Sequence, residues 1–417
     1  MSRTDRATKR VGQRGEYRTE FQCDRDRLLH SPFLRRLSGT TQVISPRDDS
    51  LVHNRLTHSL EVAQVARRLA ERLTRSGLAL NPNVAETAGL AHDLGHPPFG
   101  HLAEATLAKL VQSKGNEEGF EGNAQTFRIL TFLADNSDNY EGLNLTRASL
   151  QATLKYPWMF EHATAPYYKF GAYREEKEAF QFATSSSATK AVTSLEAEIL
   201  DYADDVTYAL YDLHDFIIAG QIPFGFLMSD EVFFEEYHRR SVETGCLTNL
   251  TLDRALEIRD VLTALAPVPR AFDGTPDHTK RLRYYINTML SRYLSPGLFD
   301  LVDAVTIRAR QLQRTSGVSE ELRLLKSFTR FYVINQHALG MKQAGHRLMI
   351  ETLFNAIMKD GELLKKGELK GNGCLSPWAY VHIKSCKKDD LPRYTADVIA
   401  SMTEDQAAQT YRAICGW

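Results

Sequence analysis

The sequence lacks the long apolar segments that membrane proteins and exported proteins carry. No run of about eighteen or more apolar residues occurs, and the first six residues are mainly polar and charged. A transmembrane helix needs about 20 apolar residues, and a secretion signal needs an apolar central segment. We therefore predict a cytoplasmic protein that does not enter a membrane.

Cysteine is scarce and has no pattern. The five cysteines form no CxxC pair and lie far apart, at Cys23, Cys246, Cys374, Cys386 and Cys415. A disulfide framework or a thiolate zinc site requires paired, closer spacing. We expect these residues to be free thiols.

The chain also lacks an excess of charge and a glycine-rich phosphate loop. Lysine and arginine number 51 against 52 aspartates and glutamates, which gives a net charge of −1. This balance argues against a surface coated in basic charge for duplex nucleic acid, although a local basic patch is compatible with it. Neither GxxxxGK[ST] nor GxGxxG occurs, which argues against P-loop and Rossmann nucleotide binding.

What the sequence does contain is mainly helical periodicity. Hydrophobic residues make up 43% of the chain, enough for a sizeable core. They recur at spacings of three and four residues in most segments, which indicates amphipathic helices. We predict an all-α fold with at most a small β-hairpin, formed by 40–44 and 51–52.

Composition divides the chain into three regions. Residues 1–27 form a polar, basic N-terminal arm, 28–215 a helical core, and 216–417 a helical C-terminal region that packs on the core. Within the core, 135–193 is a loop-rich insertion with many aromatic residues. Such an insertion in a helical chain is either a lid or a mobile linker.

The densest set of reactive side chains lies at 90–101, which reads LAHDLGHPPFGH. His92 and Asp93 come at the end of a helical run, which Gly95 and two prolines terminate. His96 lies in this break and His101 just after it. Three imidazoles and a carboxylate at one turn have the composition of a metal site.

Further candidate ligands lie on predicted helices far from this stretch. His58 is on the same helix face as Val62. Asp204, Tyr208 and Asp212 follow one another at intervals of four residues and so share a face. Taken singly, an inward histidine is more often a core residue, and such acids fit an exposed face. Carboxylates beside a buried stripe are nevertheless costly unless a cation, a donor or a ligand satisfies them.

The residues His58, His92, Asp93 and Asp204 together offer two nitrogens and two carboxylates. Such a mixed set suits a divalent metal ion of intermediate hardness, namely Mn, Mg, Co, Ni, Fe or Zn, and leaves positions for water and substrate oxygens. The order H-x33-HD-x110-D is that of the HD phosphohydrolases.

His101 and Glu104 form a separate pair, three residues apart at the start of the next predicted helix. Side chains at this spacing share a helix face, so the two could transfer a proton together. The alternative is a surface pair near a helix start.

Longer motifs resemble those of the HD-domain deoxynucleoside triphosphate triphosphohydrolases, the bacterial dGTPase-like family. The resemblance extends over nearly the full length. Its motifs are SPFLRRL at 31–37 with TQV at 41–43, HNRLTHSLEV at 53–62, HDLGHPPFGH at 92–101, FEGNAQ at 120–125, DYADDVTY at 201–208, and IASMTE at 399–404 followed by Tyr411 and Arg412. An HD pair alone is a weak signal, but the combination is specific because other HD phosphodiesterases lack the PPFGH continuation.

This resemblance implies an HD fold, with 28–215 as its catalytic core, and hydrolysis of a dNTP to a deoxynucleoside and inorganic triphosphate. Dependence on a second dNTP as allosteric activator and assembly into homo-hexamers or tetramers are further expectations from the family.

Carried over by position, the residues fall into four roles. The implied metal ligands are His58, His92, Asp93 and Asp204; the proton-transfer residues are His101 and Glu104; the deoxyribose wall comprises Gln42, Tyr208 and Asp212; the phosphate contact is Arg55. His96 is assigned a structural role at the turn or a substrate contact. Thr40 stands where many relatives have lysine, which removes one basic contact near the site.

Two rival functions remain open at this stage. One is HD hydrolysis of another nucleotide, as a 5′-nucleotidase or phosphodiesterase. The other is a regulator that binds dNTPs or single-stranded nucleic acid, which the basic arm and the aromatic insertion suggest.

Overall fold

The computed structural model describes most of the chain. The described residues are 2–9, 16–42, 53–134, 137–164, 168–185, 187–265, 271–294, 299–301, 312–314, 316–335 and 337–416. The predicted hairpin of 40–44 and 51–52 falls largely outside them. None of the helices in these ranges is both long enough and apolar enough to cross a membrane.

The prediction of an all-α fold is confirmed. In the described ranges the α-helices are α1 Glu20–His30, α2 Pro32–Arg36, α3 Arg55–Arg75, α4 Pro82–Ala91, α5 Gly100–Ser113, α6 Gly122–Arg128, α7 Arg147–Thr153, α8 Lys177–Thr184, α9 Leu195–Thr207, α10 Leu213–Ile218, α11 Phe224–Ser229, α12 Glu231–Glu243, α13 Leu252–Leu265, α14 Pro276–Tyr293, α15 Ser316–Thr329, α16 His337–Lys366, α17 Pro377–Ser385, α18 Leu391–Ala400 and α19 Glu404–Cys415.

Short elements join or extend these helices. π-Helical turns at Ile129–Leu133, Tyr208–Asp212 and Arg330–Ile334 continue α6, α9 and α15. Two three-residue strands, Phe299–Leu301 and Leu312–Arg314, pair antiparallel.

Local sequence explains where the helices that position the site begin. α3 starts at a capping box, in which Asn54 accepts from the Thr57 N–H and the Thr57 side chain accepts from the Asn54 N–H. α4 starts with an Asn81 cap and a proline in its first turn. α9 starts at Ser194, whose hydroxyl accepts from the Ala197 N–H. Each cap satisfies N–H groups that a helix start would otherwise leave unpaired.

The helices α3, α4 and α9 pack on one another around buried apolar side chains, among them Val62, Leu69, Val84 and Ile199. The contact between α3 and α4 is close because Gly89 has no side chain, and a Cβ there would lie 2.6 Å from the Ala63 Cα. This packing brings the two helices that carry histidines of the HD motif together.

The C-terminal helices α16 and α18 pack on α5 through a separate apolar cluster that includes Leu107, Val111, Phe354 and Ile399, and α17 and α19 pack on α16. A buried ion-pair network adjoins it, in which Arg128 of α6 donates to Asp397 of α18 at 2.9 Å. The last part of the chain is therefore in direct contact with helices of the HD region.

Basic residues of the N-terminal arm are paired within the chain. Arg6 lies 2.6 Å from Asp24 and 2.7 Å from Glu20, and Arg3 pairs with Glu196. These pairs reduce the positive charge that the described part of the arm can offer to nucleic-acid phosphates.

The insertion at 135–193 contains α7 and α8 in addition to loops.

Gly95 permits the HD turn to contact α6. Its N–H donates to the Thr126 hydroxyl at 2.9 Å, and a Cβ at this position would lie 2.0 Å from the Gly122 carbonyl oxygen. Because backbone atoms cannot yield easily, we expect Gly95→Ala to lower the free energy of unfolding by about 3 kcal/mol.

Urea unfolding monitored by circular dichroism measures this effect. The matched control is Gly345→Ala in α16, where a Cβ meets nothing within 4 Å. Equal midpoints for the two variants would show that the turn has room for the methyl group.

Candidate active site

The four predicted metal ligands converge, although they come from three helices. His58 lies on α3, His92 and Asp93 follow α4, and Asp204 lies on α9. Asp204 Oδ1 is 3.2 Å from His58 Nε2 and 3.7 Å from His92 Nε2, and His92 Nε2 is 3.5 Å from Asp93 Oδ1. The ligand atoms of His58, His92 and Asp93 lie within 4.8 Å of one another, and Asp204 lies beside the two histidines.

The state of His92 fits a metal ligand. Its Nδ1 lies 2.7 Å from the Gly89 carbonyl oxygen and must donate to it, since a carbonyl only accepts. The other nitrogen, Nε2, is buried and has no hydrogen-bond partner among the described residues. Burial also lowers the pKa of His92, which favours the neutral imidazole. An unprotonated, buried and unpaired nitrogen among carboxylates is what a divalent cation requires.

A cavity of about 360 Å³ opens beside these ligands. Of the ten predicted site residues, all of which the structure describes, seven line it: Gln42, Arg55, His92, Asp93, His101, Asp204 and Tyr208. Of the other three, His58 is hydrogen-bonded to Asp204, Glu104 lines a neighbouring cavity that His101 also lines, and Asp212 is fully buried.

Asp212 is completely buried and has an unexpected partner. His53 Nε2 lies 2.7 Å from Asp212, and His53 Nδ1 lies 2.7 Å from Asp215. Burial opposes a charge on this imidazole, but the two carboxylates outweigh it and raise the pKa of His53 to about 10. The charged imidazole ring of His53, which lies just before α3, therefore forms an ion pair with Asp212.

His101 and Glu104 lie in one cluster with His96, in which the ligand atoms of the three side chains are within 4.8 Å of one another, and Glu104 has further partners. Glu104 lies 3.3 Å from His96 and 3.0 Å from Lys169. Burial disfavours its charge, but these partners keep the pKa of Glu104 well below its usual range. The ring of His101 packs on that of His96 with 5.2 Å between centroids. Glu104 thus orients His96 and Lys169, and His101 is positioned by its ring neighbour.

His101 itself faces the cavity. Its position in the cavity wall, followed by repulsion from His96, lowers its pKa to about 4 despite the nearby Glu104. This lowering of the pKa favours the neutral imidazole in the free protein.

Two lysines of the cavity were missed in the sequence. Lys155 lies 3.1 Å from Asp204 and 2.7 Å from Asp201, and Lys169 lies 3.0 Å from both Glu104 and Glu121. Although burial disfavours their charge, the carboxylates raise the pKa of Lys155 and of Lys169, so both are cations. The only sequence signal was their place beside aromatic residues in the insertion.

Arg55 is a third cation of the cavity. It is 2% exposed, and its Nη1 lies 2.7 Å from Asp93. Its Nε and Nη2 have no hydrogen-bond partner among the described residues. Two buried guanidinium donors are therefore left for an acceptor that enters the cavity.

Comparison with known proteins places these elements in a family. The HD domain model matches 55–209 and the phosphohydrolase-associated domain model matches 312–413. A deoxyguanosinetriphosphate triphosphohydrolase-like protein of Corynebacterium efficiens is 33% identical over 96% of this chain and 92% of its own length. The chain belongs to the dGTPase-like family of HD-domain phosphohydrolases.

Other members of the dGTPase-like family agree with this assignment. The protein of that name from Bifidobacterium longum is 41% identical over 95% of this chain and 83% of its own length. The one from Streptomyces coelicolor is 41% identical over 66% of this chain and 65% of its own length. As an HD phosphohydrolase, the chain is a metal-dependent hydrolase that acts on phosphate esters, and the matched HD domain includes all four predicted ligands.

Proposed function

We propose that this HD phosphohydrolase cleaves a dNTP into a deoxynucleoside and inorganic triphosphate. The observation that carries the proposal is that three cations, Arg55, Lys155 and Lys169, line the same cavity as three of the four predicted ligands, while the fourth, His58, is hydrogen-bonded to Asp204. A cavity with this charge suits a polyanionic chain of phosphates, rather than a single phosphate. The printed names of the relatives, which refer to deoxyguanosine triphosphate, point in the same direction.

The ligands His58, His92, Asp93 and Asp204 would hold a divalent ion, one of Mn, Mg, Co, Ni, Fe or Zn. When bound, such an ion supplies Lewis-acid stabilisation of charge on phosphate oxygens. Arg55 is held against Asp93 with two donors free, so it can bind a phosphate oxygen next to the ligand set. Lys155 and Lys169 extend positive charge along the cavity and would orient the rest of the triphosphate.

His101 is proposed to transfer the proton that the reaction requires. Water adds across the bond between the α-phosphorus and the 5′-oxygen, and the leaving 5′-oxygen must be protonated. The neutral imidazole of the free protein becomes a donor once the negative charge of the triphosphate raises its pKa. Glu104 contributes by holding His96 and Lys169 beside it.

The selection of deoxyribose is assigned to Gln42, Tyr208 and Asp212. Gln42 and Tyr208 form part of the cavity wall, and Asp212 lies one helical turn beyond Tyr208 with His53 as its partner. A close wall at the sugar would exclude the 2′-hydroxyl of a ribonucleotide, and polar contacts would bind the 3′-hydroxyl. Activation by a second dNTP and homo-oligomeric assembly are proposed on the family resemblance.

A product screen tests the proposed reaction. All four dNTPs, singly and mixed, are incubated with Mn, Mg or Co, and products are separated by anion exchange. We expect triphosphate and a deoxynucleoside in equal amounts from at least one dNTP, and far less product from GTP. Release of orthophosphate or pyrophosphate would instead indicate hydrolysis of another kind, and activity only in mixtures would reveal an activating dNTP.

A further inference from the structure

The corner between α18 and α19, residues 401–404, reaches the active site from the C-terminal end of the chain. Glu404 is 3% exposed and points away from its own helix. Its Oε1 accepts from the Thr41 N–H at 2.9 Å and from the Phe99 N–H at 3.3 Å, and also from the Thr41 hydroxyl. A single carboxylate therefore joins two segments that are 58 residues apart in the sequence.

Both segments contribute residues to the wall of the cavity. Thr41 directly precedes Gln42, and Phe99 precedes His101 by two positions. All four of these residues line the cavity. A displacement of Thr41 would move Gln42, which is proposed to contact the deoxyribose. A displacement of Phe99 would move His101, which is proposed to transfer the proton.

The start of α5 needs such a restraint. Phe99 has φ of 68° and Gly100 has φ of 62°, so two consecutive residues are left-handed just before His101. A left-handed conformation is unfavourable for phenylalanine, and α5 has no side-chain cap at its start. The hydrogen bond from the Phe99 N–H to Glu404 comes from outside this turn and stabilises its left-handed conformation.

Arg36 secures the other side of the same corner. It donates to the Met402 carbonyl at 3.2 Å, to the Leu94 carbonyl at 2.6 Å and to the His96 carbonyl at 3.0 Å. Gly39 packs so closely that a Cβ there would lie 2.9 Å from the Thr403 Cβ. The corner is therefore fastened to the segment before Gln42 and to the HD turn at several points.

We propose that Glu404 is a positioning residue that sets the place of Gln42 relative to His101. The proposal rests on the function above, in which these two residues act on sugar and proton. The hydrogen bonds described above join Glu404 to Thr41 and Phe99, whereas the four predicted metal ligands belong to α3, α9 and the turn that follows α4. Its loss should impair turnover and the discrimination against ribonucleotides, with the metal still bound.

Three substitutions distinguish the effect of the length of the Glu404 side chain from the effect of its negative charge. Glu404→Ala removes the acceptor, Glu404→Asp keeps the charge at the start of α19 but shortens the side chain by one methylene, and Glu404→Gln keeps an uncharged acceptor. We expect kcat for dNTP hydrolysis to fall by about 100-fold in Glu404→Ala, less in Glu404→Asp and least in Glu404→Gln. The ratio of kcat/KM for dGTP over GTP should fall by about tenfold in Glu404→Ala, because the sugar wall moves.

The matched control is Asp405→Ala, which removes an exposed carboxylate from the same helix turn. It should retain wild-type kcat and sugar discrimination, and all variants should retain stoichiometric metal by elemental analysis. Wild-type kcat in both Glu404→Ala and Glu404→Asp would overturn the proposal. If Glu404→Ala does not fold, the Asp and Gln variants decide, because both keep a polar group at the site.

Hydrogen exchange measured by mass spectrometry gives a readout without substrate. We expect peptides that contain residues 37–42 and 94–101 to exchange faster together in Glu404→Ala and Glu404→Asp than in Asp405→Ala. Unchanged exchange in both segments would overturn the proposal whatever the activities are. If the wild-type protein releases no triphosphate from any dNTP, the proposed function fails, and the exchange data alone decide whether Glu404 couples the two segments.

Discussion

His92→Ala is expected to abolish stoichiometric metal binding and almost all hydrolysis. The variant removes a buried nitrogen, His92 Nε2, that lies beside Asp93 and Asp204 and has no hydrogen-bond partner among the described residues. Metal ions contribute several kcal/mol of transition-state stabilisation, and about 1.4 kcal/mol is a factor of ten, so kcat/KM should fall on the order of 1,000-fold. Elemental analysis and the triphosphate assay measure the two losses.

The control for this prediction is His30→Ala. His30 is an exposed histidine at the end of α1, so its removal changes the histidine content without touching the ligand set. We expect normal metal content and normal activity in this variant. A His92→Ala protein that binds metal in stoichiometric amount would show that the metal site lies elsewhere.

His101→Ala is expected to separate catalysis from metal binding. A positioned acid or base contributes typically 10²–10⁴-fold to rate, so kcat should fall by about this factor. Because His101 is not one of the four predicted metal ligands, the variant should still bind metal in stoichiometric amount. Rapid-quench turnover together with elemental analysis on the same sample measures both quantities.

The matched substitution is Lys114→Ala, at the exposed residue that directly follows α5. It tests whether the loss of any side chain at this helix reduces turnover, and we expect it to be neutral. Wild-type release of triphosphate by His101→Ala, with metal bound, would disprove the proton-transfer role. Another group of the cavity would then have to protonate the leaving oxygen.

Glu104 illustrates a role that the sequence described only in part. Its spacing of three residues from His101 predicted a shared helix face, which is a property of one helix. The structure shows that the carboxylate is engaged by His96 from the HD turn and by Lys169 from the insertion. Helix periodicity cannot report which residues of other segments reach a side chain.

Asp212 is a second case in which helix periodicity did not reveal the partner of a side chain. The regular spacing of Asp204, Tyr208 and Asp212 placed all three on one face, and the first two do face the cavity. The buried partner of Asp212 is His53, on the segment before α3. That contact depends on how the segment before α3 meets the π-helical turn after α9, which no local pattern encodes.

By itself, the sequence determined the helical architecture, the family and the four side chains that suit a metal ion. Apolar spacing specifies which residues form helices, and rare combinations of histidine and aspartate mark chemistry, so both can be read locally. Only the tertiary structure decided that Lys155 and Lys169 join the cavity and that Glu404 holds Thr41 and Phe99. These contacts form between distant parts of the chain, and their geometry follows from the packing of whole helices.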